Sequence, residues 1–156
     1  MDARGQGSNQ MFGELFQLGH VVPAVIPAVA QWAVTGIGPW QILEDYPVEA
    51  WSYRGARVQI PIDVALAWSG GVQIELIAPR DDSPSMYQEF LGDCPQGGLQ
   101  HLGFRCSDFR QSRNAGLSAG WTVWLEGLVS GGRPFCYLRP PAGSTGLLPV
   151  ELSQGA

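Results

Sequence analysis

The chain has 156 residues, enough for one domain with a proper core and short for two. Nine Lys and Arg against 14 Asp and Glu give a formal charge of −5 with only 15% charged residues, so the basic footprint that phosphate backbones require is missing and nucleic acid is excluded as a partner. Cys94, Cys106 and Cys136 are odd in number and lack CxxC spacing, which argues against a disulfide scaffold or zinc ribbon and for buried thiols.

Residues 1–12 read as a disordered leader without a hydrophobic signal core, and the expected location is cytoplasmic. The longest apolar stretch, Val21 to Ala30, is broken by Pro23 and Pro27 and falls short of the roughly 20 residues a membrane helix needs. Phe16 to Val22 is a strand-type run stopped by Pro23. Ala24 to Thr35 is helix-compatible, with Pro27 near its first turn and Gly36 as the stop. QILEDY, ARVQIPIDVALAW and VQIELIAP follow as three extended segments between Pro, Gly and Ser signals. DDSPSMYQEFLGD then suggests a linker helix over about 83–93, with Ser83 as its cap and Pro84 at the first helical position. The second half runs LQHLGFRCS as a strand, DFRQSRNAGLSAG as a helix ending at glycine, and WTVWLEG, RPFCYLRP and LLPVELSQ as strands.

Strand, helix and three strands thus occur twice, in a single domain over 13–154 with modules at about 15–80 and 98–154. The letters repeat as well: QLGHVVPAV overlays HLGFRCSDF on its Leu-Gly, and QIEL overlays PVEL. These overlays pair Gln17 with His101 and Glu75 with Glu151. Side chains alternate across a strand, so Gln17 and Gly19 share a face from which His20 is excluded. Glu75 and Glu151 sit among Ile, Leu and Val, where a carboxylate is costly unless paired, protonated or bound to a cation. The bland reading makes these four ordinary polar residues on solvated strand faces. The sharper reading joins an amide oxygen, two carboxylates and an imidazole around one divalent ion, a mixed O/N set that suits Zn, Ni, Co, Mn or Fe(II).

With these pieces in this order, GHVVPAV, WAVTGIGPW, VQIELIAP, GGLQHLGFRCSDF and PVELSQ, the chain resembles the vicinal oxygen chelate superfamily over about Leu15 to Gln154. That is the glyoxalase, methylmalonyl-CoA epimerase and bleomycin-resistance group. The resemblance implies an α+β fold of two βαβββ modules forming a half-open barrel, with metal ligands at Gln17, Glu75, His101 and Glu151. Glutamine at the first of these positions counts against extradiol dioxygenases and is similar to zinc-type glyoxalase I, although the arginines and helical insertions of the glutathione-specific enzyme are missing. The flanking motifs look more like methylmalonyl-CoA epimerase. The implied chemistry is metal-assisted proton abstraction beside a carbonyl, by an isomerase, epimerase or lyase, with Glu151 and Glu75 moving the proton. Glu44 and Glu49 are weaker candidates on a segment that borders the pocket. Arg105, Trp51 and Trp124 are the expected substrate contacts, for a small carbonyl compound or acyl thioester. A homodimer is expected. The competing function is a metal-free protein that sequesters a drug or metabolite in the cleft.

Overall fold

A computed structural model describes residues 10–155. The first half contains β1 (Glu14–Val21), α1 (Val25–Trp32) continued by a 3-10 turn (Ala33–Thr35), and β2 (Gln41–Leu43). It continues with β3 (Val48–Tyr53), β4 (Ala56–Arg57), β5 (Ile62–Ser69) and β6 (Val72–Pro79). After α2 (Met86–Asp93) the second half has β7 (Gly98–Cys106), α3 (Phe109–Ser118), β8 (Thr122–Val129), β9 (Arg133–Arg139) and β10 (Val150–Gln154).

All ten strands form one unclosed sheet in the order β2-β5-β6-β1-β7-β10-β9-β8-β3-β4. In each half the first strand lies parallel to the last, β1 on β6 and β7 on β10, and the other two follow antiparallel. With the β3–β4 hairpin set aside, both halves are βαβββ modules. They meet along β1 and β7, which run antiparallel with Leu18 opposite Leu102. The Leu-Gly dipeptides that align in sequence are therefore where the modules cross.

The helices α1 and α3 cover the outer face. Val25, Ala28, Val29 and Trp32 of α1 recur at helical spacing and pack on Ala65, Ile74 and Leu76. Behind the second module Phe109 of α3 joins Phe12, Cys136, Leu138 and Leu152. The inner face carries the third cluster, in which Trp51, Tyr53, Tyr87, Phe135 and Tyr137 meet Ile62, Val64 and Ile77. No described helix is long and apolar enough to cross a membrane.

Four local expectations need correcting. VEAWSY, which carries no strand expectation, forms β3, and ARVQIPIDVALAW is split into β4 and β5 with 58–61 outside any strand. Arg54 and Gly55 both have positive φ, 52° and 81°, and make the two-residue turn that folds β4 back on β3. The helix cap is Ser85, whose Oγ accepts from the Gln88 N–H at 3.1 Å; the Ser83 N–H is taken by Asp81 Oδ1, which keeps the chain at Pro84 outside the helix. Of the expected leader, 1–9 lie outside the described residues, but Phe12 is buried, with its ring against Phe104 and Trp121.

Candidate metal centre

Gln17 on β1 and His101 on β7 project from the strands that join the modules, and Glu75 on β6 and Glu151 on β10 from the strands flanking them. The registers are equivalent: Gly19 lies opposite Glu75, and Gly103 opposite Glu151. Across the junction each glycine also faces the other module's polar residue, Gly19 opposite His101 and Gly103 opposite Gln17. A methyl group on Gly19 would overlap the imidazole ring, and one on Gly103 would strike the Gln17 side chain. The two glycines are therefore the clearance that lets both side chains turn inward.

His101 is fully buried and Gln17 nearly so, while the side chains of Glu75 and Glu151 are 13% and 16% exposed. His101 Nε2 lies 3.2 Å from Glu151 Oε2 and 3.5 Å from Glu75 Oε1, and ligand atoms of these three residues all fall within 4.8 Å of one another. Gln17 Oε1, Glu75 Oε1, His101 Nε2 and Glu151 Oε2 are each buried without a partner in hydrogen-bonding geometry. Four such atoms together would cost several kcal/mol in a protein that left them unliganded. Two carboxylates and an imidazole nitrogen are donors a borderline divalent cation takes, and Glu75, His101 and Glu151 are placed so that they could hold one.

The imidazole is oriented from behind. Its Nδ1 lies 3.1 Å from Gln100 Oε1, and the Gln100 amide nitrogen donates to the Met86 carbonyl at 3.2 Å. Because the amide NH₂ is committed to Met86, Oε1 is the end that faces His101; Nδ1–H donates to it, and Nε2 is the nitrogen that faces the carboxylates. Tyr137 packs edge-on against the same ring at 4.9 Å, and its hydroxyl accepts from Tyr87 at 3.3 Å. Gln100 carries no spacing signal, since a neighbour of His101 is assigned to the opposite face by strand alternation alone.

Burial lowers the His101 pKa, but the contacts with Glu151 and Glu75 more than reverse this and raise it to about 9. Burial, then the Glu151 charge, push the Glu75 carboxyl up, with His101 opposing.

Two spaces with shared walls adjoin the carboxylates. The inner one is an apolar chamber of about 50 Å³ between Tyr46, Trp51, Val64, Ile77, Tyr137 and both glutamates. The outer one is a mouth of about 490 Å³ that includes Gln17, Gln73, Arg105, Arg133 and Ser153. Arg105 thus shares the site's face, with its guanidinium 4.2 Å from the Phe16 ring centroid. Trp51 reaches the chamber. Trp124 lines neither space; it packs at the margin of the inner cluster beneath the Arg139 guanidinium. Glu44 and Glu49 border other clefts. His20 lies on the helix-covered side, edge-on to Trp32 at 5.1 Å, as strand alternation requires. Tyr46, which borders both spaces, is a site residue the sequence reading missed; burial and the charges of Glu75 and Glu151 hold its phenol above its ordinary pKa.

Residues 16–137 match the family model of the glyoxalase/bleomycin resistance protein/dioxygenase superfamily. Among curated proteins no sequence matches significantly. Among solved structures, methylmalonyl-CoA epimerase from Mycobacterium tuberculosis is similar with a TM-score of 0.68 and 23% identity, over 99% of this chain and 96% of that one. A variant of the Streptomyces coelicolor methylmalonyl-CoA epimerase in complex with 2-nitronate-propionyl-CoA aligns with a TM-score of 0.61 and 16% identity, over 93% and 99%. A variant of 4-hydroxymandelate synthase from Streptomyces coelicolor gives 0.54 at 21% identity, over 92% of this chain and 49% of that one. At these identities the likeness is one of fold.

Proposed function

We propose that this chain, which belongs to the glyoxalase/bleomycin resistance protein/dioxygenase superfamily, holds a divalent cation on Gln17, Glu75, His101 and Glu151 and moves a proton at the carbon beside a carbonyl group. The observation that carries this reading is the convergence of Glu75, His101 and Glu151, with ligand atoms within 4.8 Å of one another, from equivalent positions of two modules, beside the buried Gln17 Oε1 that has no hydrogen-bond partner. The cation would supply Lewis-acid polarisation of the carbonyl oxygen.

The chain's own residues do the rest. Gln100 holds the imidazole so that Nε2 faces the centre. Glu151 and Glu75 each have two oxygens and line the chamber, so a carboxylate engaged through one oxygen retains a second to accept or return a proton. Trp51, Val64 and Tyr137 give the reacting carbon apolar surroundings, which strengthens each electrostatic contact there. Arg105 and Arg133 give the outer mouth a positive rim for the polar part of a small carbonyl compound or acyl thioester. Proton removal and return is the chemistry of an epimerase or isomerase, the class to which the methylmalonyl-CoA epimerases of like fold belong.

Elemental analysis of the purified protein, with Glu151→Gln and His101→Ala beside it, tests the first half of this reading. Solvent-deuterium exchange into 2-substituted acyl-CoAs and α-hydroxy ketones tests the second. Near-stoichiometric metal that both substitutions abolish, with exchange that is lost alongside it, is the expected result. A protein without metal, whose melting temperature does not rise with Zn, Ni, Co or Mn, overturns it. That outcome favours a metal-free binding protein, the reading to which the imidazolium held between two glutamates lends its own support.

A further inference from the structure

The β3–β4 hairpin belongs to neither copy of the repeat, yet it walls the reacting centre. β3 extends the edge of the second module along β8, and in doing so turns Val48 and Trp51 toward Glu75 and Glu151. Trp51 is 8% exposed, and its ring stands edge-on to Phe135 at 5.5 Å, 80° between planes. β3 is paired on both sides, to β8 and to β4, so the indole is held by a laddered strand and by an aromatic neighbour.

What remains beside the carboxylates is about 50 Å³, where a cavity that takes benzene measures roughly 150 Å³. Tyr46, Glu75, Val129, Phe135 and Glu151 border both this chamber and the larger mouth. A molecule at the metal site therefore has two unequal directions, a small and mainly apolar one and a large, more polar one.

We infer that Trp51 is the specificity-determining residue of the site, limiting the substituent beside the carbonyl to a short unbranched alkyl group while the larger polar part of the molecule leaves through the mouth. The substrate class is a carbonyl compound with one small apolar arm; aromatic and long-chain arms are rejected. This inference rests on the metal-centred reading above.

The test uses the full chain loaded with Zn and a series of hydroxamic acids, from acetohydroxamic to hexanohydroxamic acid plus benzohydroxamic acid, with affinities measured by calorimetry. Each places a metal-chelating head at the site and an arm of graded size in the chamber. Affinity is expected to hold through the shortest arms and to fall by about tenfold or more for the pentyl and phenyl arms, the discrimination a tight apolar pocket provides. In Trp51→Ala the ratio of benzohydroxamic to acetohydroxamic affinity should rise by about tenfold. Val48→Ala, a smaller deletion in the same wall, should move the length limit by about one carbon and keeps the test valid if Trp51→Ala does not fold. A flat profile in the natural protein, or an unshifted limit in the folded variants, overturns the size limit alone. If the Zn-loaded protein binds no hydroxamic acid at all, the metal-centred reading fails and the size limit falls with it.

Discussion

The two modules set Gln17 and His101 in the same frame: each is two residues before a glycine, and each glycine faces the glutamate of its own module's last strand. The backbones agree and the side chains do not. Gln17 offers a neutral oxygen, and its amide nitrogen is spent on Gln73 Oε1 at 2.8 Å. His101 offers a nitrogen aimed by Gln100 and balanced between two carboxylates. The repeat thus dictates where a donor stands, and the residue type dictates its charge and pKa.

The largest test of that asymmetry removes each donor in turn. His101→Ala takes away the only nitrogen of the set and leaves Glu75 and Glu151 without the group that balances them. Zn affinity should fall by more than about a hundredfold, and proton exchange with it, while Gln17→Ala should lose about tenfold, in the range that separates ligands from less strongly bound partners. Competition against a fluorescent chelator measures both. Equal losses would mean that the two modules contribute alike.

The glycines come next, because they test whether close approach across the junction is what admits the ligands. Gly19→Ala sets a Cβ deep against the imidazole ring, and Gly103→Ala sets one somewhat less deeply against Gln17 Oε1 and Cβ. Overpacking of this kind costs about 1–3 kcal/mol, with Gly19→Ala at the upper end and its metal content reduced. Urea unfolding with parallel metal analysis checks it; unchanged stability and metal in Gly19→Ala would show that the ring does not need this clearance.

A smaller effect separates the modules by pH. The folded-state pKa of His101, about 9, lies above its unfolded value near 6.5. Protonation of His101 therefore stabilises the metal-free fold fully below about pH 6.5, and that contribution is lost as pH rises through about 9. Chelator-treated protein should lose melting temperature between pH 7 and 9.5 more steeply than His101→Gln does. Parallel curves would remove the imidazolium from the metal-free site.

Much of this site was legible because a strand alternates and a repeat doubles the information: the Leu-Gly overlay alone pairs Gln17 with His101, and the two strand cores pair the glutamates. The hairpin was not legible from the same signals. Val48 to Tyr53 is a short stretch whose partner, β8, lies more than 60 residues away in the other module, and pairing at that distance leaves no periodic mark in a local segment. Tyr46 and Gln100 were missed for related reasons. One acts from a loop, and the other through a single side-chain bond to its neighbour. The leader misled in the opposite way, because Phe12 has no patterned neighbours and is fixed by a distant Trp121.

The smallest expected effect falls on the other histidine. His20 is one residue beyond Gly19, on the helix-covered side, with its ring against Trp32 and burial lowering its pKa. His20→Gln removes an edge-on aromatic contact and should cost about 1 kcal/mol, the scale of such pairs, with metal stoichiometry unchanged. A melting curve and elemental analysis on one preparation measure both quantities. If the metal is lost while Gln17→Ala retains it, β1 presents its other face to the centre, and the equivalence of Gln17 with His101 fails. Retention of metal in His20→Gln, beside its weakening in Gln17→Ala, fixes the strand's register by chemistry and leaves His20 a packing residue under α1.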